Sequence, residues 1–158
     1  GDKPLRVIEI GCASGNNALD ILKNLNVKEI VLIDHYEKAL TEYDDYTSAR
    51  LKKMRQQSAE RLSQYSHKIT WLYELSDDAV SRLQGQYDFI YVDGDHSYEA
   101  TAKDLSNYSK FLSQEHVFAG HDVDNEGVTK AFIEYSHDSE ASIPKIQEPD
   151  WIFYSHQQ

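Results

Sequence analysis

Two short stretches hold the most reactive side chains, Asp93-Gly94-Asp95-His96 and Gly120-His121-Asp122. Each follows an apolar run that reads as a buried strand, Phe89-Ile90-Tyr91-Val92 and Val117-Phe118-Ala119 respectively. Carboxylates and imidazoles at strand ends suit two kinds of chemistry. Oxygen ligands from Asp93 and Asp122, with Asp95 in support, satisfy a hard divalent cation such as Mg²⁺; an imidazole from His121 shifts the preference toward Mn²⁺, Fe²⁺ or Zn²⁺. Alternatively His96 or His121 takes the proton of an acceptor hydroxyl, since imidazole titrates near pH ~6.5, with Asp95 or Asp122 orienting the ring. The competing structural roles are turn bonding for the histidines and capping of a helix near Ser97 to Glu99 for the aspartates.

A third stretch, Val7 to Leu22, reads as strand, glycine turn and helix in succession. Val7, Ile8 and Ile10 form the apolar run, with Glu9 the odd residue within it. Gly11 and Gly15 bracket the small residues Cys12, Ala13 and Ser14, where a ligand can approach the backbone. Asn16 and Asn17 begin a segment with Ala18, Leu19, Ile21, Leu22 and Leu25 at helical spacing, so free amides of the turn are expected to point out of a helix N-terminus. A dinucleotide-binding turn requires G-x-G-x-x-G, and its middle glycine is missing here.

The elements that must position these groups follow from periodicity. Val27 to Ile33 reads as a second strand, ending on Asp34 about twenty residues past the turn, where a doubly wound fold sets a carboxylate against ribose hydroxyls. A cap for the helix expected at HYEKAL is the competing role of Asp34. His35 and Tyr36 follow, and either one suits contact with an adenine. Between Glu37 and Tyr65 one or two surface helices are expected, and Asp44-Asp45 reads as an exposed turn rather than a metal pair. Lys68 to Leu75 is a third strand, with Ser76, Asp77 and Asp78 capping a helix over 78–83. A helix is expected over Glu99–Phe111. A polar turn at Ser113 to Glu115 precedes the fifth strand, and Val128 to Tyr135 is a last helix. Ser142 to Ile146 and Trp151 to Tyr154 form a hairpin around Glu148-Pro149-Asp150.

The chain has 158 residues with a formal net charge of −11, enough for one domain, 1–158, with one sizeable core. Its acidity argues against wrapping phosphate backbones, so nucleic acid is not an expected partner. Lys52, Lys53 and Arg55 read as a solvated helix face beside Glu60 and Arg61. One cysteine, Cys12, excludes an intramolecular disulfide and suits a reducing compartment. No apolar run is long enough for a membrane span, and the start GDKPLRV has no signal-peptide core; a cytoplasmic location is expected.

With an acidic residue, one spacer and then G-x-x-x-G, the turn resembles motif I of class I S-adenosylmethionine-dependent methyltransferases. DGDHSYEA, HVFAGHD and GVTKAF, in that order, extend the likeness from Val7 to about Phe132 and resemble the small-molecule O-methyltransferases of the macrocin and cephalosporin-biosynthesis type. The resemblance implies an α/β Rossmann-like, doubly wound, mostly parallel seven-stranded sheet with a C-terminal antiparallel hairpin. It implies S-adenosylmethionine as cofactor, held by Glu9, Gly11, Cys12, Ala13, Ser14, Gly15, Asp34, His35, Ser76, Asp77 and Asp93, with Ser76 or Asp77 on the adenine amine. It implies a small-molecule acceptor, methylated at a hydroxyl oxygen, and a homodimer is compatible with it. In these relatives a metal such as Mg²⁺ orients the acceptor; its ligands fall here on Asp93, His121 and Asp122, a His-Asp pair replacing two carboxylates. Asp93, His96 and His121 are the catalytic candidates, and which one takes the proton stays open. Relatives also carry helices ahead of the first strand that shape the acceptor pocket, whereas Lys3 and Pro4 here lead almost at once into it. The rivals are a nicotinamide-dependent oxidoreductase and a non-catalytic S-adenosylmethionine-binding module.

Overall fold

A computed structural model describes residues 3–37, 47–139 and 144–155. Seven strands form one sheet in the order β3-β2-β1-β4-β5-β7-β6. They are β1 (Leu5–Ile10), β2 (Val27–Ile33), β3 (Ile69–Leu72), β4 (Tyr87–Val92), β5 (Leu112–Gly120), β6 (Lys145–Gln147) and β7 (Asp150–Tyr154). β1 through β5 run parallel, β7 pairs antiparallel to β5, and β6 antiparallel to β7. The sheet is α/β, mostly parallel and doubly wound, with the terminal hairpin as expected. The strand order reverses between β1 and β4, the switch point where open α/β sheets leave a ligand crevice.

The helices are α1 (Asn16–Asn24), α2 (Ser48–Arg61), α3 (Ser76–Ala79), α4 (Tyr98–Tyr108) and α5 (Glu126–Asp138). Alternation along each strand divides the core between the two faces of the sheet. Val7, Ile30 and Leu32 pack with Ala18, Ile21 and Leu22 of α1 and with Leu62, which follows α2. Ile8, Ile10, Ile90, Val92 and Phe118 pack on the other face with Leu105 and Tyr108 of α4 and Val128, Ala131 and Phe132 of α5. Trp151 of β7, fully buried, packs against Phe118 and Phe132. No helix among the described residues is long and apolar enough to cross a membrane.

Several boundaries differ from expectation. β5 begins at Leu112, where a polar turn was expected, because Leu112 pairs with Tyr87 and the Ser113 hydroxyl donates to Asp88 Oδ1 at 3.0 Å; the register shifts between Tyr87 and Phe89. β3 stops at Leu72, so Tyr73 to Leu75 leave the sheet. Ser76, Asp77 and Asp78 form the first turn of a one-turn helix whose N-cap is Leu75, and a 3-10 turn at Val80–Arg82 follows. Residues 35–37, where the helix expected after Asp34 was to begin, are not helical, Tyr36 lying at φ +49°, and the Asp34 carboxylate accepts from Tyr36 N at 3.0 Å. Of the stretch from Glu37 to Tyr65 where one or two helices were expected, α2 supplies one, while residues 38–46, with Asp44-Asp45, and also Ser142 lie outside the described residues.

Candidate functional site

β1 runs straight into the glycine turn. Gly11 adopts φ +83°, and a Cβ there would lie 1.7 Å from the carbonyl oxygen of Asp93, so only glycine lets the turn cross the end of β4. Few amides of this turn are free. Gly11 N donates to Ile33 O at 2.9 Å, Ala13 N to Asp34 Oδ2 at 2.9 Å and Gly15 N to Cys12 O at 2.8 Å, while Tyr36 OH donates to Ala13 O at 2.7 Å. The loop is thereby fixed in shape before any ligand arrives, with Asp34 tying the end of β2 to the turn.

Beneath the turn Glu9 is 1% exposed; its Oε1 accepts from Asn17 Nδ2 at 2.9 Å and its Oε2 has no hydrogen-bond partner among the described residues. Burial pushes this carboxyl up to about 8, the Asn17 hydrogen bond opposing and the charges of Asp93 and Asp34 adding to the rise. Burial likewise raises the Cys12 thiol far above its usual range, which leaves it a packing group.

The cavity opens at the carboxyl ends of β1, β2 and β4 and has a volume of about 600 Å³, within the range of small-molecule sites. Gly11, Ala13 and Asp34 line it from the glycine turn and the end of β2, and Gly94, Ala100 and Asp104 from the β4-α4 loop and α4. Leu51 and Met54 of α2 and Leu75 and Ser76 after β3 complete the walls. Its charged lining consists of carboxylates, Asp34, Glu37, Glu74, Asp93, Asp95, Asp104 and Asp122, together with three histidines; among the described residues no Lys or Arg lines it. Such a lining favours a cationic ligand and opposes a pyrophosphate. A larger groove of about 1440 Å³ lies against Phe89, Tyr91, Val117 and Ile152, away from this cluster.

Sheet pairing extended past the strand ends sets the ionisable groups, through Asp93 N to Ile10 O at 2.8 Å and His121 N to Val92 O at 3.1 Å. Gly127 at the start of α5 has no room for a Cβ, which would sit 2.8 Å from His96 O, so α5 and the β4-α4 loop meet closely. That approach brings His96 Nε2 to 2.8 Å from Asp122 Oδ2 and 3.7 Å from Asp93 Oδ1. His121 Nδ1 stands 3.0 Å from Asp122 Oδ1 and 3.9 Å from Asp93 Oδ1. Asp93, 3.7 Å away, and the nearby Asp122 charge hold His96 above the ordinary imidazole range, burial opposing. Burial raises Asp93.

Of the residues expected at a cofactor site, Gly11, Ala13, Asp34, His35, Ser76 and Asp93 line the cavity. Glu9, Cys12, Ser14 and Gly15 stand behind its wall, and Asp77 turns outward to Lys103 and, at 3.2 Å, to Asn107 Nδ2. The catalytic candidates Asp93, His96 and His121 all reach the cavity, as does Asp122. Ligand atoms of Asp93, His96 and Asp122 lie within 4.8 Å of one another, a trio in which His96 stands where His121 was expected. Sequence reasoning missed Leu51, Met54, Leu75, Ala100 and Asp104. Asp104 had a signal, since it is a carboxylate on the buried stripe Thr101, Leu105 and Tyr108 of an amphipathic helix.

Three comparisons bear on the family. Residues 8–123 match the model of a methyltransferase domain. No curated protein matches the chain. Among solved structures, a Corynebacterium glutamicum protein superposes with a TM-score of 0.72 at 15% identity, over 100% of this chain and 75% of that one. An SAH-bound Podospora anserina methyltransferase gives 0.71 at 17% identity, over 98% and 73%. The precorrin 8w decarboxylase of Methanobacterium thermoautotrophicum gives 0.68 at 12%, over 98% and 83%. These likenesses establish that the chain shares its fold with these proteins. With the family model matched over most of its length, the chain belongs to the methyltransferase domain family.

Proposed function

We propose that this domain binds S-adenosylmethionine in the cavity above β1, β2 and β4 and methylates a hydroxyl oxygen of a small molecule, as in the O-methyltransferases its motifs resemble. The observation that carries the reading is the acidic cavity itself, about 600 Å³, floored by a preformed glycine turn and lined by carboxylates, with no Lys or Arg among the described residues that line it. It suits a cationic nucleoside and is hostile to the diphosphate of a nicotinamide cofactor.

Gly11 and Ala13 would lie against the amino-acid half of the cofactor, with Glu9 buried behind them. Cys12, Ser14 and Gly15 would act by holding the turn. Asp34 and His35 would face the ribose, because the Asp34 oxygens already fixed by Ala13 N and Tyr36 N keep lone pairs for its hydroxyls. Ser76 would stand at the base. When bound, S-adenosylmethionine supplies an electrophilic methyl group on a sulfonium centre.

Positioning of the acceptor oxygen supplies most of the rate, and removal of its proton the rest. His96 is the base we favour. His96 Nε2 lies 2.8 Å from Asp122 Oδ2, so Asp122 would stabilise the imidazolium that forms, and Nδ1 would be the atom that takes the proton. Asp93 and His121 complete the polar wall around that proton.

A divalent cation is the second reading, favoured by the convergence of Asp93, His96 and Asp122 within 4.8 Å. Two carboxylates and one imidazole fit Mn²⁺, Fe²⁺ or Zn²⁺ better than Mg²⁺, and His121 would then support Asp122. When bound, such a cation supplies a Lewis acid that orients and acidifies the hydroxyl.

The test is transfer of label from tritiated S-adenosylmethionine to a panel of small hydroxylated acceptors, with and without a chelator. Label is expected in an acceptor, falling about a hundredfold or more in Asp122→Ala. Chelator sensitivity selects the metal reading. Saturable NAD binding without S-adenosylmethionine binding would overturn the proposal.

A further inference from the structure

α2 is a basic element in an acidic chain. Five of the 16 Lys and Arg residues fall within its 14 residues, Arg50, Lys52, Lys53, Arg55 and Arg61, against one carboxylate, Glu60, while the whole chain carries a net charge of −11. The sequence reads Lys52, Lys53 and Arg55 as a solvated face beside Glu60 and Arg61, yet neither neighbour engages them. Glu60 Oε1 accepts from Gln56 Nε2 at 2.9 Å, and Arg61 turns away to donate to Ser14 O. Lys52 and Lys53 are exposed and form no ion pair among the described residues. They follow a first turn that holds Arg50 and no acid, near the helix end whose dipole disfavours cations. That placement does nothing for the helix itself.

Lys52 and Arg55, three residues apart, share one flank of α2, and that flank meets apolar surface. The Arg55 guanidinium lies 3.7 Å from the centroid of the Tyr73 ring, and Trp71 stacks on the same ring at 5.5 Å. Tyr73 is still 38% exposed and Leu75 54%. A Tyr, an Arg and an aliphatic side chain within a charged margin have the composition of a protein–protein contact. Leu51 and Met54 of the same helix line the cavity, so the basic flank stands beside it.

We propose that Lys52, Lys53 and Arg55 of α2, with Tyr73 and Leu75, form a docking surface for an acidic polypeptide segment. Carboxylates of the partner face Lys52 and Lys53, and an apolar side chain between them covers Tyr73 and Leu75. Charge complementarity selects such a partner and steers its approach. Nucleic acid fits less well. With Trp71 and Arg55 already on it, the Tyr73 ring offers little face to a stacking base, and the carboxylates of the adjoining cavity repel a phosphate backbone that runs past the patch. The docking surface is independent of what the cavity binds.

The experiment is fluorescence anisotropy of the whole chain with labelled probes. They are a glutamate-rich peptide of about twelve residues containing leucine, the same peptide with glutamine for glutamate, and a uridine oligonucleotide of equal charge. The glutamate peptide is expected to bind about tenfold more tightly than the glutamine peptide, and to lose roughly tenfold between ~50 mM and ~300 mM salt. Lys52→Glu/Lys53→Glu should weaken it by about tenfold; glutamate near a helix N-terminus favours the helix, and Lys52→Gln/Lys53→Gln should give about a threefold loss with no new charge. Lys110→Glu/Lys145→Glu makes the same change of net charge at exposed lysines elsewhere and should leave the affinity within about twofold. Equal affinity for the two peptides overturns the proposal. So do equal losses in the two glutamate double variants, unchanged affinity in Lys52→Gln/Lys53→Gln, or tighter binding of the oligonucleotide than of the glutamate peptide.

Discussion

At the β1 end of the cavity the groups facing a ligand are main-chain atoms already held by side chains, Ala13 N by the Asp34 carboxylate and Ala13 O by the Tyr36 hydroxyl. At the β4 and β5 ends they are ionisable side chains whose nearest polar partners are each other, His96 with Asp122 and Asp93, and His121 with Asp122. The first region derives its shape from backbone conformation and so depends on what a residue lacks. The second derives its reactivity from charge and so depends on what each residue carries. Substitutions should separate the two, damage at the turn appearing as lost fold and lost cofactor, damage at the cluster as lost turnover with the fold intact.

The largest effect expected is from Gly11→Ala. A Cβ 1.7 Å from Asp93 O, at φ +83°, cannot be absorbed without moving β1 against β4. A loss of about 3 kcal/mol or more in unfolding free energy is expected, with cofactor binding abolished; chemical denaturation and calorimetry read both. A stable Gly11→Ala protein with unchanged affinity would break the distinction at its turn side.

Glu9 gives a smaller effect with a definite sign. Its folded carboxyl titrates at about 8 against 4.5 for the ordinary group, chiefly through burial. Between those values the unfolded chain holds fewer protons than the folded one, so stability falls as pH rises. The contribution is fully present below about pH 4.5 and is lost as pH passes through about 8. Glu9→Gln keeps the shape and the Asn17 contact without the titration. Urea unfolding at pH 5.5 and pH 8.5 should show the variant gaining on the wild type by an amount on the order of 3 kcal/mol. An equal difference at both pH values would mean that Glu9 is not a buried titrating group of the turn.

The same contrast governs how much the sequence disclosed. The turn is local, a β-branched run followed by Gly11 and Gly15, so spacing alone locates it. Asp93, His96, His121 and Asp122 are local to two strand ends, and the doubly wound order brings those ends together. Leu51 and Met54 were not legible, because α2 is polar nearly all round and nothing in its periodicity says that a ligand, rather than solvent, faces them. Asp77 and Asp104 could not be ranked from sequence. Which acid faces the cavity is decided by Lys103 and Asn107 drawing Asp77 outward, contacts across 26 and 30 residues of chain. The start of β5 at Leu112 was hidden for a similar reason, its Ser113 hydroxyl being satisfied by Asp88 on β4.

The most direct test of the account is calorimetric titration of S-adenosylhomocysteine into the wild-type protein and Asp122→Ala. The account predicts saturable one-site binding to both, with dissociation constants within about threefold of each other, because Asp122 belongs to the reactive end and not to the turn. Absence of binding to the wild-type protein, or loss of binding in Asp122→Ala with its fold retained, would contradict it.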